Sequence, residues 1–476
     1  MSEERRTFRE VLSRILPEVS KPVRKLTLGE RLIWTALILV VYEAMSSTAL
    51  YGISTSPTQA SPLLLNIIFA SNIGTLTTLG IGPIVTGGLI LQLLVGAEIL
   101  RLDLKKSEDR ALFTSLSKLF TMVIAIFQAA AYIFAGYFGT LTSSVQFLVF
   151  AQLFLATLVI MLMDELVQKG WGLGSGISLF IAAGVAGQIF ADLFSPVILQ
   201  DGYFHGIILA VVQGLSTPDG LSQLFIRHVA QRGDILGLIS TTAIILMLLY
   251  LEGVRVNIPI SHSRYSGFRG TYPIKLLYVS NVPVILASTI FTNIYYLSSI
   301  VWSRYNSDNS NPLLNLIGTF KLEEGATQPI PTGGLAYYSL GPVNFTEAAA
   351  DPIRAASFVG LMVVFCVLLG RFWITVGGLA PERVADQLIA SGMQVPGFRR
   401  SPLVISSILR RYINTVAIIG SVFVGLLASV ANYVNAFGTG TGLLLMIGIL
   451  YQYYQILVRE RVAEMYPAIA RLVGEE

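Results

Sequence analysis

Two carboxylates lie within apolar stretches of the sequence, where an ionised side chain is costly to bury. Glu43 and Asp192 are candidates for carrying protons across a membrane, because an ionisable residue inside an apolar span is by default a functional candidate. A proton relay requires a series of such groups with partners across the protein. The two carboxylates are isolated in the sequence, so the pattern does not favour proton transfer.

The remaining reactive residue types form no pattern that is typical of an enzyme or a metal site. Cys366 is the single cysteine, which excludes an intrachain disulfide, and we expect it to be a small buried hydrophobe. His205, His228 and His262 are scattered, and neither a P-loop nor an H-E-x-x-H motif occurs. We therefore expect no enzyme activity, no catalytic residue, no cofactor and no bound metal.

The composition indicates an integral membrane protein. Hydrophobic residues make up 54% of the 476 residues, charged residues only 13%, and the mean hydropathy is +0.69. Soluble globular proteins carry about 25% charged residues. A soluble multidomain enzyme and a disordered protein are therefore both disfavoured. The net charge of +4 is modest, so the positions of the basic residues matter more than their sum.

Ten stretches predict membrane-spanning helices, since a span needs about 20 mainly apolar residues. They are 31–52, 74–98, 112–139, 145–167, 176–197, 235–254, 273–302, 354–376, 404–430 and 437–458. Most basic residues fall in the segments on one side of these spans. The positive-inside rule then places both termini in the cytoplasm, and we expect a multi-pass protein of the plasma membrane.

Two long loops, 198–234 and 303–353, are predicted on the outer side. The second is rich in Asn, Gly, Pro and Thr and is expected to be a solvated loop with turns. The first separates five spans from five, which suits an inverted pair of halves. The predicted divisions are a cytoplasmic segment with an amphipathic helix (1–30), an N-terminal half (31–200), an outer loop (201–234), a C-terminal half (235–458) and a cytoplasmic tail (459–476).

Residues 61–73 predict a helix only half as long as a bilayer requires, beginning at Ser61 and Pro62. Glycines follow it in 74–88 and recur in 169–190. Non-helical backbone at membrane depth is tolerated only where it is buried in protein or lines a water-filled cavity. We therefore expect a half-helix inside a cavity, with an ordinary surface-lying helix as the alternative. The G-x-G-x-G in the second stretch lacks the βαβ context of a nucleotide site.

Two predicted cytoplasmic loops combine basic residues with a regular pattern. In 253–275 apolar and polar residues alternate, which predicts an extended hairpin. In 377–402 a short amphipathic helix ends at Gly392, and a basic turn follows. Two ordered basic arms on one face favour docking of an anionic partner such as RNA. The alternative is basic charge that only sets the topology.

Two other classes of membrane protein are alternatives. A secondary transporter with broken helices needs a polar substrate site near the midplane, whereas the glycine-rich breaks here are flanked by Ile, Val and Leu. An intramembrane enzyme needs paired aspartates, or a serine with a histidine, at membrane depth, and the sequence contains no such set.

Four motifs resemble the SecY family, whose members are the large channel subunits of the Sec protein translocon. They are TLGIGPIVTGGLILQLLVG (78–96), KGWGLGSGISLFIAAG (169–184), YPIKLLYVSNVPVILAS (272–288) and APERVADQLIASGMQVPGFR (380–399). They occur in the family's order, and the resemblance covers essentially the whole chain. The third motif is similar to the archaeal and eukaryotic branch.

The resemblance implies an all-α integral membrane protein with ten transmembrane helices, in two pseudo-symmetric five-helix halves around an hourglass pore. This pore would be a passive conduit for secretory polypeptides and would release hydrophobic segments sideways into lipid through a lateral gate. The aliphatic pore ring would consist of Ile81, Val85, Ile177, Ile181, Ile285 and Leu445. The plug would consist of Pro62, Leu63, Leu64, Leu65, Asn66, Ile67, Ile68, Phe69 and Ala70. The lateral gate would include Gln128 and Asn293.

The resemblance also implies partners, because the chain has no ATPase motif of its own. A translating ribosome would supply the driving force, and signal sequences, nascent polypeptides and membrane lipid would contact the channel. A SecE-like single-span subunit and a small beta or SecG-like single-span subunit would complete the complex. The residues that would dock anionic ribosomal RNA are Arg255, Arg264, Arg269, Lys275, Arg399 and Arg400.

Overall fold

The fold is dominated by long helices. The computed structural model describes residues 16–24, 26–53, 70–97, 99–100, 102, 106–134, 138–139, 141–198, 202–216, 220–225, 233–262, 269–279, 281–322, 329–342, 345–377, 379–390, 393–394 and 402–465. Its first elements are α1 (Leu28–Ser47), α2 (Gly82–Gly96), α3 (Ser107–Phe134), α4 (Ser143–Gln168), α5 (Gly176–Phe194), α6 (Ile207–Gly214), α7 (Gly220–Phe225), α8 (Ile235–Gly253), β1 (Arg255–His262) and β2 (Arg269–Lys275). The others are α9 (Val282–Tyr305), α10 (Pro312–Ile317), β3 (Thr319–Lys321), β4 (Ile330–Gly333), α11 (Gly334–Ser339), α12 (Phe345–Ala350), α13 (Pro352–Val376), α14 (Pro381–Ala390), β5 (Met393–Gln394), α15 (Pro402–Tyr433) and α16 (Gly440–Met465).

Each of the ten predicted spans corresponds to one helix, so the predicted helical membrane fold is confirmed. Within the described part of the chain, eight helices are long and apolar enough to cross a membrane: α3, α4, α5, α8, α9, α13, α15 and α16. The apolar helix α2 has only 15 residues. Helix α1 corresponds to the remaining predicted span, 31–52. The short helix α6 has eight residues.

The second and seventh spans begin later than predicted. Helix α2 begins at Gly82 instead of residue 74, because the preceding segment is a series of turns. Gly74 and Gly80 have positive φ angles of 88° and 51°, which glycine adopts without the steric cost that a Cβ would bring. Helix α9 begins at Val282 instead of residue 273, because the preceding residues complete strand β2 and a turn.

The predicted hairpin in 253–275 is confirmed. Strands β1 and β2 pair antiparallel, with Arg255 opposite Lys275, and β5 pairs with the end of β1. A small hydrophobic core lies beneath this sheet and includes Ile258, Ile274 and Leu409. The predicted amphipathic helix is α14, but its expected capping residue Gly392 lies outside the described residues.

The described parts of the segment 303–353 are more ordered than predicted. We call the described residues within 306–351 the cap. The cap contains three short helices, α10 to α12, and the β3–β4 hairpin. Phe320 is buried in it against Tyr295 of α9, whose hydroxyl donates to the carbonyl of Pro329 at 3.0 Å. Apolar side chains spread among turn residues supply this small core, which composition alone did not reveal.

Candidate functional site

The six aliphatic residues predicted to form a ring belong to one hydrophobic core. This core draws on α1, α2, α4, α5, α8, α9, α13, α15 and α16 and is the largest in the described chain. Three of the six are fully buried, and three are partly buried at its edge. The fully buried residues are Ile81, Ile181 and Leu445, and the partly buried residues are Val85, Ile177 and Ile285. We call these six residues the waist.

All six waist residues lie at the beginnings of helices. Each is either the residue just before its helix or one of the first six residues of α2, α5, α9 or α16. The waist therefore consists of four helix N-termini brought together, with branched or aliphatic side chains filling the space between them.

Helices α2 and α9 begin in the same way. The preceding residues, Ile81 and Asn281, have nearly identical angles, with φ of −87° and −86° and ψ of −1° and −7°. A proline follows two residues later in each helix, where its fixed φ and missing N–H suit a helix start. The waist residues Val85 and Ile285 each lie four positions after that start. Equivalent starts thus give α2 and α9 equivalent waist positions.

The first turn of α5 is held by two neighbouring helices. Asp164 of α4 is buried, and its Oδ1 accepts a hydrogen bond from the backbone N–H of the waist residue Ile177 at 3.1 Å. Tyr453 of α16 places its hydroxyl 3.0 Å from the carbonyl oxygens of both Leu173 and Ser175. Sequence reasoning missed Asp164. Its position beside Glu165 at the end of an apolar run was the available signal.

The two polar residues predicted at a lateral gate face each other across the seam between α3 and α9. Gln128 Nε2 donates to Asn293 Oδ1 at 3.5 Å, and Asn293 Nδ2 donates to Thr86 Oγ1 of α2 at 3.3 Å. A cavity of about 340 Å³ adjoins these three residues. Its other walls are mainly apolar and include Ile124, Phe127, Ile290 and Leu297. The predicted pair is thus brought together, whereas Thr86 was not predicted.

Most of the predicted plug, Pro62 to Phe69, lies outside the described residues. Its last residue, Ala70, is buried in the main core and has a φ of 46°. The Tyr42 hydroxyl of α1 donates to the Ala70 carbonyl oxygen. The Tyr42 ring also stacks on Phe180 of α5, with 4.4 Å between ring centroids. Tyr42 therefore ties the end of the predicted plug to the helices around the waist.

Two of the predicted docking residues are described with their side chains. Arg255 is exposed and donates to the Tyr451 hydroxyl at 3.3 Å, and Lys275 lies over the Tyr451 ring, 4.8 Å from its centroid. Both lie on the β1–β2 hairpin and contact Tyr451 of α16. Arg269 lies on β2, but its side chain is outside the description. The predicted docking residues Arg264, Arg399 and Arg400 lie outside the described residues.

A buried ion-pair network connects α3, α4 and the N-terminal segment. Glu165 of α4 contacts Lys118 of α3 at 2.7 Å and Lys169 at 3.0 Å. It also accepts from the backbone N–H of Val19 at 3.3 Å, and Lys118 donates to the Pro17 carbonyl at 3.2 Å. The predicted gate helix α3 is thereby fixed to α4 at the end opposite the cap.

The two carboxylates considered for proton transfer have different surroundings. Asp192 is buried at the end of α5, where Oδ1 lies 3.1 Å from His205 Nε2 and 3.4 Å from Gln188 Nε2. Glu43 is exposed on α1. Among the described residues, no group of three or more His, Cys, Asp or Glu side chains is arranged to hold a metal ion.

Two models of known protein families match this chain. The family model described as SecY matches residues 75–454, and the model described as the plug domain of Sec61p matches residues 40–74. The Sec61 subunit alpha of Dictyostelium discoideum is 39% identical over 457 residues, covering 94% of this chain and 95% of that protein. The SecY translocase subunit of Methanocaldococcus jannaschii is 39% identical over 462 residues, covering 97% and 98%.

Solved structures agree with the sequence relatives. A structure of a protein-conducting channel superposes with a TM-score of 0.79 at 38% identity, covering 97% of this chain and 98% of that one. Sec61 in a canine ribosome–channel complex from the endoplasmic reticulum gives a TM-score of 0.77 at 37% identity, with the same coverage.

Proposed function

The chain belongs to the SecY family, and we propose that it is the channel-forming subunit of a protein translocase, which passes secretory polypeptides across a membrane. The observation that carries this proposal is the waist, where six aliphatic side chains from four helices meet in one core. A channel of this kind carries out no chemistry of its own. The relatives named above are protein translocase and protein transport subunits.

The waist would act as a flexible apolar seal. A constriction lined by branched apolar side chains excludes water and ions when it is empty. The same side chains can move apart around an extended polypeptide, because each is held by packing and none by a hydrogen bond. A secondary transporter would need polar groups for its substrate at this depth. The aliphatic character of the waist disfavours that alternative.

The seam between α3 and α9 would be the lateral gate. The pair formed by Gln128 and Asn293 is the polar contact across it, and an apolar cavity adjoins the pair. A hydrophobic signal segment of about 20 residues gains free energy by moving from water into lipid. Separation of α3 from α9 would give such a segment a sideways path out of the channel.

The predicted plug, 62–70, would close the funnel on the side away from the ribosome. Its end at Ala70 is anchored by Tyr42 next to the waist, which supports this assignment. Gly74, with a positive φ of 88°, follows as a hinge on which the segment would move.

We propose two pseudo-symmetric halves, 31–200 and 235–458. Support comes from the nearly identical starts of α2 and α9, the second helix of each half. The N-terminal segment and the tail from residue 459 would both lie in the cytoplasm, and the membrane would be the plasma membrane. The distribution of basic residues in the sequence supports that orientation.

The ribosome would dock on the β1–β2 hairpin and on the loop after α14, and two single-span subunits, one SecE-like and one beta or SecG-like, would complete the complex. A related Sec61 was solved in complex with a ribosome. Exposed Arg255 on an ordered hairpin supports the first docking surface. Replacing Arg269 and Arg399 by Glu should weaken ribosome binding, most clearly at moderate salt. Equal binding by the parent and the variant would contradict this surface.

A photo-crosslinking residue in place of Ile81 tests the proposed function directly. Membranes containing the complex would receive ribosomes stalled on a secretory chain, either with its signal sequence or without it. We expect crosslinks from position 81 to the first chain and none to the second. A crosslinker at the exposed Val159 of α4 is the matched control and should label neither translocating chain strongly. Absence of crosslinks at position 81, with ribosomes bound, would overturn the proposal.

A further inference from the structure

We propose that Asn281 is a positioning residue of the waist, which fixes the start of α9 against α16 and so keeps the waist closed to chains without a functional signal. This inference rests on the proposed function, because it assigns a role within the proposed waist. Asn281 is not itself a waist residue, and sequence reasoning did not select it.

Asn281 makes hydrogen bonds to two waist residues, one through its side chain and one through its backbone. Its side-chain Nδ2 donates to the backbone carbonyl oxygen of Leu445, in α16, at 3.2 Å. Its own carbonyl oxygen accepts from the backbone N–H of Ile285, in α9, at 3.2 Å. Asn281 is only 4% exposed, so water does not compete for these bonds. A single residue thereby sets the distance between the backbones that carry Ile285 and Leu445.

The position of the Asn281 amide depends on a glycine in α16. A Cβ added to Gly448 would lie 2.0 Å from Asn281 Nδ2 and 2.7 Å from Asn281 Cγ, both far inside van der Waals contact. Glycine within a helix is less favourable than alanine. The glycine at 448 is explained by the space that the Asn281 side chain occupies.

The Asn281 side chain does not cap its own helix, α9. An asparagine before a helix normally accepts a hydrogen bond from the second or third backbone N–H of that helix. Asn281 makes no such side-chain bond to α9. Its equivalent at the start of α2, Ile81, has a purely apolar side chain. The side chain of Asn281 is thus committed to the contact between α9 and α16.

The hydrogen bond between Asn281 and Leu445 holds the start of α9, a helix that also contributes to the proposed lateral gate. Helix α9 carries both Ile285, in the waist, and Asn293, at the seam with α3. Displacement of the start of α9 would therefore disturb both places in the same movement. Loss of the bond from Asn281 to α16 removes an interaction of the closed arrangement, so the closed state becomes easier to leave.

The test compares translocation of two secretory reporters, one with an intact signal and one with a defective signal, in membranes that contain the complete complex. For Asn281→Ala we expect the defective reporter to gain about twofold to tenfold relative to the intact reporter, the range that loss of one hydrogen bond gives. Translocation of the intact reporter and the thermal unfolding midpoint should change little. A general loss of stability would lower both reporters together.

Three further variants make the test specific. Asn432→Ala removes another buried asparagine, whose Oδ1 accepts from the Gly440 N–H at 2.6 Å and whose side chain makes no hydrogen bond to α9 within the described part of the chain. This control should not raise the ratio of defective to intact reporter. Gly448→Ala should raise the ratio by displacing Asn281. The double variant Asn281→Ala with Gly448→Ala should raise it no further than the single variants do.

Ile285→Asn separates failure of the inference from failure of the proposed function. If Ile285→Asn admits the defective reporter and Asn281→Ala does not, the positioning role is wrong and the waist stands. If neither variant admits it, the waist assignment is wrong, and the inference fails with it. Equal gains for Asn281→Ala and Asn432→Ala would also overturn the inference, because they would indicate general loosening.

Discussion

Gln128 and Asn293 meet across the seam between α3 and α9, with Gln128 Nε2 3.5 Å from Asn293 Oδ1. Asn293 also donates to Thr86 of α2 at 3.3 Å. The amide of Asn293 is thus shared between the two helices that it faces, α2 and α3. Both bonds must break before α9 can separate from those helices, yet each is long enough to be weak.

Replacement of Asn293 by Leu should make the seam harder to open. The two amide bonds are lost, but both are long and weak. The apolar side chain fills part of the adjoining cavity, and this burial outweighs their loss and favours the closed packing. A net gain of about 1 kcal/mol for the closed state, on the order of one buried methylene group, would reduce translocation of a weakly hydrophobic signal about fivefold. A strongly hydrophobic signal should be less affected. Translocation assays with graded signals measure this effect.

Asn293→Gln keeps an amide at the seam and is the matched control for that experiment. It should resemble the parent protein more closely than Asn293→Leu does. Equal translocation of weak signals by the parent and Asn293→Leu would contradict the assignment of this seam as the gate.

Replacement of Tyr42 by Phe should weaken the anchor of the plug. The ring keeps its stack on Phe180, but the hydrogen bond to the Ala70 carbonyl is lost, at a cost of about 1 kcal/mol. We expect a small increase in ion conductance of reconstituted membranes. Deletion of 62–70 should increase it more. Tyr454→Phe, at an exposed position of α16, is the control, and conductance identical to the parent in both Tyr42→Phe and the deletion would refute the plug.

Replacement of Glu165 by Gln should destabilise the protein. Lys118 would keep a charge at a position where its side chain is only 11% exposed, without the carboxylate that lies 2.7 Å away. Breaking a buried pair on one side costs about 3–5 kcal/mol, whereas replacing both members of the Lys118–Glu165 pair by apolar residues is often neutral. Lys169, the second partner of Glu165, keeps its contact with Glu18 at 2.7 Å. Thermal unfolding in detergent should therefore show a lower midpoint for Glu165→Gln than for the double variant Lys118→Met with Glu165→Met. The opposite order would show that the pair is not the stabilising element.

The cap should loosen at acid pH through Asp351. Hydrogen bonds from the Arg354 backbone N–H and the Tyr337 hydroxyl, at 3.0 Å and 2.7 Å, hold the pKa of Asp351 below its usual value. Because this pKa is lower in the folded than in the unfolded protein, the stabilisation is present above about pH 4 and is lost as the pH falls through the folded value. Fluorescence of Trp302, with the other tryptophans replaced by Phe, should change over that range.

Asp351→Asn is the control for this measurement, because its side chain does not titrate. Its fluorescence should vary less with pH than that of the parent protein. A pH profile that is the same in both proteins would assign the transition to another group.

The sequence predicted the spans and the hairpin because each has a local signature, whereas the waist residues were named only through the resemblance to the SecY family. Runs of apolar residues define spans, and alternation in Val256 to Ile260 defines a strand. The start of α2 at Gly82 was missed, since the apolar run continues through turns whose shape depends on backbone angles. The bond between Asn281 and Leu445 was not predictable either. Its partners are 164 positions apart, and it depends on a space left by Gly448.

The convergence of four helix beginnings on the waist has an electrostatic consequence. The aligned peptide dipoles of a helix place about half a positive elementary charge at its N-terminus. Helices α2, α5, α9 and α16 all present that end to the six aliphatic side chains. Within about one turn of those ends, the field repels cations, including protons. The waist should therefore resist leakage of cations more strongly than leakage of anions, in addition to resisting water.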